Sequence, residues 1–181
     1  MQIITFASPM GIKQKIAERK FQKLARQHKH FPVLPDLSTA KKVGVLWQPA
    51  HKRAFQYMQE YFRKKQAIFR GFCVFEETAN PLPDTNTITT HDLTWLGFPK
   101  PGKVDDFMSM EFDILFNVAL EQNFVLDYIT LFSKAKFKVG TSKNESNYFD
   151  LNINIGQKND STYLAEQQIF YLAQLNNTTV K

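Results

Sequence analysis

The chain has 181 residues, 43% of them hydrophobic, with seven glycines and eight prolines. This length and composition suit a single compact domain that buries roughly 70% of its unfolded surface. No run reaches the roughly 18 uncharged apolar residues of a membrane span, and residues 1–11 lack the features of a signal peptide, so we expect neither membrane insertion nor secretion. The single cysteine, Cys73, lies in an apolar run and has no second cysteine for an internal disulfide, which fits a reducing cytoplasm.

The net charge of +6 is unevenly distributed along the chain. Residues 1–70 carry 15 Lys and Arg against 3 Asp and Glu, whereas residues 71–181 carry 8 against 14. Seven cations fall between residues 13 and 29, where Glu18 is the only anion. Such a surface attracts polyanions over a Debye length, about 8 Å at physiological salt; the alternative is a solvated basic face that only aids solubility.

The first predicted element is a helix over residues 11–30, with a start signal at Ser8-Pro9 and prolines at positions 32 and 35 that prevent its continuation. Its apolar side is a narrow sector made of Ala17, Phe21, Leu24, Ala25 and His28. Because this sector is narrow and contains no Trp, we expect the basic amphipathic helix to dock onto the domain or onto a partner rather than to lie in a membrane surface.

Strands and helices alternate through the rest of the chain. The predicted strands cover residues 41–47, 67–75, 112–118, 136–140 and 148–155, with a short one at 87–90 inside a loop at 77–91. The predicted helices cover residues 50–65, 104–110, 122–134 and 161–175, and Asp160 is positioned to cap the last of them.

This alternation predicts an α/β fold with a single doubly wound, mostly parallel sheet of the Rossmann-like type. We expect three parts: the basic helix and a Pro-containing linker at residues 1–40, the α/β domain at 41–175, and a frayed tail at 176–181.

Ligands of doubly wound folds bind beyond the carboxyl ends of the strands. The residues that could line such a ligand edge are His51, Asn117, Gly140 and Ser142. However, neither a G-x-G-x-x-G nor a G-x-x-x-x-G-K-[ST] phosphate loop occurs, and each of the four has an ordinary structural role as its alternative.

The sequence indicates no catalytic residue, metal site or cofactor. His28 and His30 do not form a zinc site without further ligands, and the pair Asp105-Asp106 suits the start of a helix, where carboxylates complement the helix dipole. No serine lies in a G-x-S-x-G motif, and no cysteine–histidine arrangement can be proposed from position.

Nucleic-acid binding requires cations but no catalytic geometry. The candidate phosphate-contacting residues are Lys13, Lys15, Arg19, Lys20, Lys23, Arg26, Lys29, Lys52, Arg53, Arg63, Lys64 and Lys65. Trp95 and Phe98 are either exposed aromatics that help to bind nucleic acid or core residues that anchor their loop. RNA is favoured over duplex DNA because no helix-turn-helix, zinc-finger or dimerisation motif occurs. The leading hypothesis is therefore a non-enzymatic, RNA-associated protein, bound to the ribosome or involved in its assembly.

Three stretches, DLTWLG at residues 92–97, FDILFN at 112–117 and SKAKFKVG at 133–140, resemble a family of small Bacteroidota proteins catalogued as a domain of unknown function. This resemblance implies a cytoplasmic protein and no particular chemistry. The second and third stretches are also similar to the first domain of heptosyltransferase-type glycosyltransferases. Those enzymes have two Rossmann-like domains and hold the donor sugar nucleotide mainly in the second, so a chain of this length would lack the donor site.

Two other functions remain open. The first is a small enzyme that handles a nucleotide or sugar phosphate, with its site around His51, Asn117 and Gly140. The second is a protein-interaction subunit, in which the stripe formed by Ala17, Phe21 and Leu24 docks into an acidic partner complex or into an assembly of the inner membrane.

Overall fold

The computed structural model describes residues 11–75, 86–144 and 146–178, with side chains described as far as Leu175. The strands are β1 (Lys42–Trp47), β2 (Ile68–Val74), β3 (Thr87–Ile88), β4 (Ile114–Asn117), β5 (Lys138–Gly140) and β6 (Leu151–Asn152). The α-helices are α1 (Ile12–Gln27), α2 (Lys52–Lys64), α3 (Asp105–Ser109), α4 (Phe124–Phe132) and α5 (Ser161–Thr178). The predicted helix start at Ser8-Pro9, most of the predicted loop at 77–91 and residues 179–181 lie outside the described residues.

The six strands form one sheet in the order β3-β2-β1-β4-β5-β6, and every neighbouring pair is parallel. Strands β2 and β3 therefore lie on one side of β1, and strands β4, β5 and β6 lie on its other side. This is the doubly wound Rossmann-like order, with its reversal between β1 and β4. The predicted fold class is confirmed.

Helices cover both faces of the sheet because its central strands are apolar on both sides. One buried cluster joins Val45 of β1 and Phe116 of β4 to α2 and α5. A second cluster joins Leu46 of β1 and Leu115 of β4 to α3 and α4 on the opposite face. Alternate residues of one strand thus belong to different clusters, as the period of two in a β-strand requires.

Helix α1 forms an additional layer outside α4. Its apolar stripe supplies Ala17 and Phe21, which are 6% and 2% exposed, to a third buried cluster that also contains Leu131 of α4. The sequence left open whether this stripe docks onto the domain or onto a partner, and the structure places it against the domain. In this structure the stripe is therefore covered by α4.

Most element ends differ from the predicted ones for identifiable reasons. The helix predicted from residue 122 begins at Phe124, because Asn123 Oδ1 accepts hydrogen bonds from two backbone amides of the first turn. Strand β6 covers two residues of the predicted 148–155, and Asn152 at its end turns its amide toward the loop at Ser142. The predicted cap at Asp160 is confirmed by its hydrogen bonds to the first turn of α5, and α5 continues beyond residue 175 to Thr178.

Across the described ranges, every helix is too short or too polar to cross a membrane.

Candidate functional site

The outward side of α1 is a dense group of cations. All seven basic residues between positions 13 and 29 are exposed: Lys13, Lys15, Arg19, Lys20, Lys23, Arg26 and Lys29. The ion pairs found among the described residues involve none of them. We call these seven residues the α1 basic surface. Their charges are not neutralised by carboxylates of the described chain, so the surface is available to an anionic partner.

The only acidic residue of α1 faces inward. Glu18 is partly buried and accepts a hydrogen bond from Gln22 Nε2 at 2.8 Å. It faces Asp127 of α4, and burial, together with the charge of Glu18, raises the pKa of Asp127 to about 6. The two carboxylates therefore face each other between α1 and α4, and all exposed charges of α1 are positive.

Trp95 and Phe98 lie in one tight turn but have different environments. The turn is closed by hydrogen bonds from Thr94 N to Phe98 O at 2.7 Å and from Gly97 N to Thr94 O at 2.8 Å, and Gly97 adopts a φ of +87° that favours glycine. Phe98 is 8% exposed within the α1–α4 cluster, and the Nζ of Lys20 lies 5.1 Å from its ring centroid. Trp95, by contrast, is 69% exposed. Phe98 is thus the anchor of the turn, while Trp95, in the same turn, presents its ring to solvent.

The basic residues of α2 do not join the α1 basic surface. Helix α2 packs on the opposite face of the sheet from α4 and α1. Lys52 and Arg53 lie at its start, on the carboxyl edge of the sheet, whereas three cations lie at its other end: Arg63, Lys64 and Lys65. Of these, Arg63 and Lys64 pair with Glu60 at 2.9 and 3.6 Å, and Lys65 Nζ lies 5.3 Å from the Tyr61 ring centroid. The twelve predicted phosphate contacts therefore occupy three separate places.

A cavity of about 1000 Å³ lies at the carboxyl edge of the sheet. Its walls come from the connection after β1, the first turn of α2, the end of β2, the connection after β4 and the start of α5. The lining residues are Gln48, Pro49, Ala50, His51, Arg53, Phe75, Leu120, Glu121, Asn159, Asp160, Ser161 and Thr162. We call it the edge cavity. Because it includes the connections after both β1 and β4, it lies where the strand order reverses.

Of the four predicted ligand-edge residues, His51 lines the edge cavity and the other three do not. Asn117 is fully buried, with Oδ1 accepting from Ala119 N at 3.0 Å and Nδ2 donating to Gln122 Oε1 at 2.7 Å. This side chain shapes the turn after β4.

Gly140 and Ser142 also have local structural contacts. The ring of Phe149 packs so closely on the backbone of Gly140 that a Cβ atom there would collide with it. Ser142 N donates to Asn152 Oδ1 at 2.8 Å, and its hydroxyl accepts from Asn144 N at 3.1 Å. Glycine at position 140 therefore makes room for an aromatic side chain of the chain itself.

The histidines at the end of α1 belong to a separate polar cluster under β5. His30 Nε2 lies 2.9 Å from Asp150 Oδ2, and the same carboxylate oxygen accepts the backbone N–H of Lys138 at 2.8 Å. Burial, followed by the charges of Lys138 and His30, lowers the pKa of His28. Among the described residues, no group of three or more His, Cys, Asp or Glu side chains is arranged to hold a metal ion. The cluster thus ties the end of α1 to the sheet.

Comparison with known proteins gives one result. The profile of DUF6913, described as a family of unknown function, matches residues 13–175, which is most of the chain. The chain belongs to the DUF6913 family. The matched span includes α1 as well as the α/β body, and no curated protein or solved structure is significantly similar to the chain.

In this DUF6913 chain, several residues of the edge cavity were not predicted from the sequence as ligand-edge residues. Gln48 and Glu121 follow β1 and β4, and Ser161 begins α5. Their position directly after strand ends could have identified them as cavity residues only if the strand order had been known, because that order determines which connections lie next to each other at the edge of the sheet.

Proposed function

We propose that this protein is a non-enzymatic RNA-binding protein that contacts phosphates through the α1 basic surface, as part of a ribosomal particle or of its assembly in the cytoplasm. One observation carries the proposal: all seven cations are exposed and without a carboxylate partner among the described residues. Six of them lie on a helix whose apolar side is fixed to the domain, and Lys29 lies just beyond its end. A helix held in this way presents its charges in a constant geometry.

The dimensions of α1 suit contacts with several phosphates at once. From Lys13 to Arg26 the helix rises by about 20 Å at about 1.5 Å per residue. Binding through phosphates needs positive charge along the path of the backbone and no reading of base edges. Since the apolar side of α1 packs on α4, the same helix cannot at the same time insert that side into a lipid surface.

Trp95 supports single-stranded RNA over duplex DNA. Its ring is exposed on a turn that packs against α1 through Leu96 and Phe98. Proteins that bind single strands combine a basic path for the backbone with aromatic rings on which unpaired bases stack. Trp95 and the α1 basic surface together provide this combination.

The direct test measures binding of a fluorescent 20-nucleotide single-stranded RNA by anisotropy across a salt series. The test variant carries Lys15→Glu, Arg19→Glu, Lys23→Glu and Arg26→Glu. We expect a loss of affinity of more than about 100-fold, and a slope of log K against log salt that is shallower by about 0.7 for each lost phosphate contact.

The matched control reverses four cations elsewhere: Arg63, Lys64, Lys65 and Arg70, all changed to Glu. It alters the net charge equally but on other surfaces, so we expect only a small loss of affinity. Equal losses in the two variants would show that net charge alone attracts the RNA and would contradict the proposal.

Two further measurements define the partner. Trp95→Ala should weaken binding to single-stranded RNA by about 5- to 100-fold, the usual range for one stacked base, and should leave duplex DNA binding unchanged. In lysate fractionation the protein should sediment with ribosomal particles at low salt and leave them at high salt or after nuclease treatment. Sedimentation only with free protein at low salt would contradict the ribosomal part of the proposal.

A further inference from the structure

We propose that the edge cavity is a second, independent site that binds a nucleoside diphosphate. Its volume of about 1000 Å³ is sufficient for a base, a ribose and two phosphates, since ligand sites in proteins typically measure about 300 to 1000 Å³. Its place at the reversal of strand order is where open α/β sheets bind their ligands. The side chains of the cavity, rather than its place alone, indicate the ligand.

Gln48 presents its side-chain amide to the cavity. The residue is 7% exposed and lines the cavity, and its side-chain amide forms no hydrogen bond with any residue that the structure describes. The amide atoms remain accessible to solvent from the cavity, so a ligand that displaces this solvent has to offer a donor and an acceptor in its place. A ligand with both donors and acceptors, such as a nucleobase or a ribose, would satisfy it.

The diphosphate is best accommodated at the start of α2. Arg53 lies in the first turn of this 13-residue helix, is exposed to the cavity and forms none of the ion pairs of the described residues. Backbone amides are not the phosphate-binding groups here, because Lys52 N already donates to Pro49 O and His51 N to Gln48 O in the turn before α2, so the guanidinium of Arg53 has this role. A guanidinium binds phosphate oxygens through two parallel hydrogen bonds, so it can replace the glycine-rich loop that the β1–α2 connection lacks.

The rest of the lining suits a nucleoside. Phe75 and Leu120 give an aromatic and an aliphatic surface against which a base can pack. Glu121 is exposed and also forms no ion pair with a described residue, so its carboxylate can accept hydrogen bonds from ribose hydroxyls. Inorganic phosphate would contact Arg53 alone. A nucleoside diphosphate contacts Arg53 with its phosphates, the Phe75 and Leu120 surface with its base, and Glu121 with its ribose.

The test is calorimetric titration of the full chain with ADP and with UDP, alongside the halves of these ligands: pyrophosphate, adenosine and uridine. We expect saturable one-site binding of at least one nucleotide, at least about 10-fold tighter than either half. Arg53→Met should weaken nucleotide binding by about 10- to 100-fold, since it removes a charge-assisted pair of hydrogen bonds. Gln48→Leu should weaken it as well, because the donor and the acceptor of the amide are lost from the cavity wall.

Arg63→Met is the matched control, because it makes the same change at the other end of α2, and it should leave nucleotide binding unchanged. The variant with four Glu substitutions in α1 should also bind nucleotide normally, so failure of this site is distinguishable from failure of the RNA proposal. Three results would overturn the inference: no saturable nucleotide binding, pyrophosphate binding as tight as that of ADP and UDP, or unaltered nucleotide affinity in Arg53→Met.

Discussion

The ring of Phe21 in α1 lies 5.1 Å from the ring of Phe124 in α4, measured between centroids. The ring of Tyr148 contacts the Phe21 ring edge-on, with 5.5 Å between the centroids, and Phe21 is only 2% exposed. One aromatic side chain thus joins the basic helix both to α4 and to the segment before β6. This contact determines whether the α1 basic surface is held in a fixed position.

Phe21→Ala should release α1 from the domain. Removing a buried phenylalanine costs about 3 to 5 kcal/mol, and because α1 is an outer layer we expect much of this cost to appear as local opening of the helix. Hydrogen exchange of the α1 amides should therefore accelerate more than that of the sheet. Affinity for single-stranded RNA should also fall, although no charge is removed.

Ile12→Ala is the control for that change, because Ile12 belongs to the same helix and is 80% exposed. It should leave both hydrogen exchange and RNA affinity nearly unchanged. Unaltered exchange of the α1 amides in Phe21→Ala would refute the anchoring role of this ring.

Asp127 makes the stability of the folded chain dependent on pH. Burial is the main cause that raises its pKa from 3.8 to about 6, and Glu18 of α1 adds to the effect; Tyr148 faces the same carboxylate and its own pKa is raised mainly by burial. Between about pH 4 and 6 the folded chain keeps a proton that the unfolded chain has lost. The contribution of Asp127 to stability therefore falls as pH rises through this window and stays constant above it.

Asp127→Asn removes this titration. The free energy of unfolding, measured with urea, should rise in the variant by about 2 kcal/mol relative to that of the natural chain when the pH is raised from 4.5 to 7.5. Glu18→Gln should give a smaller gain with the same sign, because it removes only the charge that Glu18 contributes. A constant difference in unfolding free energy across this range would contradict the raised pKa.

The fold could be predicted because local signals and tertiary structure agree in this chain. Val43 to Leu46 is a continuous apolar run, which is the pattern of a parallel strand buried on both faces, and all four residues are buried in the sheet. The cap at Asp160 could also be predicted, because the side chain that caps a helix lies next to the first turn in the sequence. Both features depend on neighbouring residues.

The candidate sites combine residues that are far apart in the sequence, so which of them are neighbours in space could not be predicted from the sequence. Gly140 suggested a ligand edge, but the space beside it is filled by Phe149, which a glycine in a strand permits equally well. Trp95 and Phe98 are three positions apart in the same aromatic turn, and only the packing of α1 and α4 against that turn decides that Phe98 is buried. Likewise, the edge cavity combines connections that become neighbours through the strand order.

Lys138, the first residue of β5, is buried, and its ammonium group lies at the C-terminal end of α4. It is 1% exposed, and its Nζ donates to the carbonyl oxygen of Leu131 at 2.8 Å, in the last turn of the helix, where cations and carbonyl oxygens attract each other. Burial lowers the pKa of this ammonium from 10.5 to about 8, although the carboxylate of Asp150 opposes the shift. Above pH 8 the folded chain therefore loses a proton that the unfolded chain keeps until pH 10.5, and stability rises with pH in this window.

Lys138→Met should remove that rise. In the natural chain the titration of Lys138 should add about 2 kcal/mol to the free energy of unfolding between pH 7.5 and 9.5, and the variant should lack this contribution. Lys136→Met is the control, because Lys136 is exposed and its pairing with Asp113 at 2.8 Å raises its pKa, so its titration lies above the window. Parallel curves for the natural chain and Lys138→Met would show that the ammonium is not destabilised by burial. A rise lost only in Lys138→Met would identify this lysine as the source.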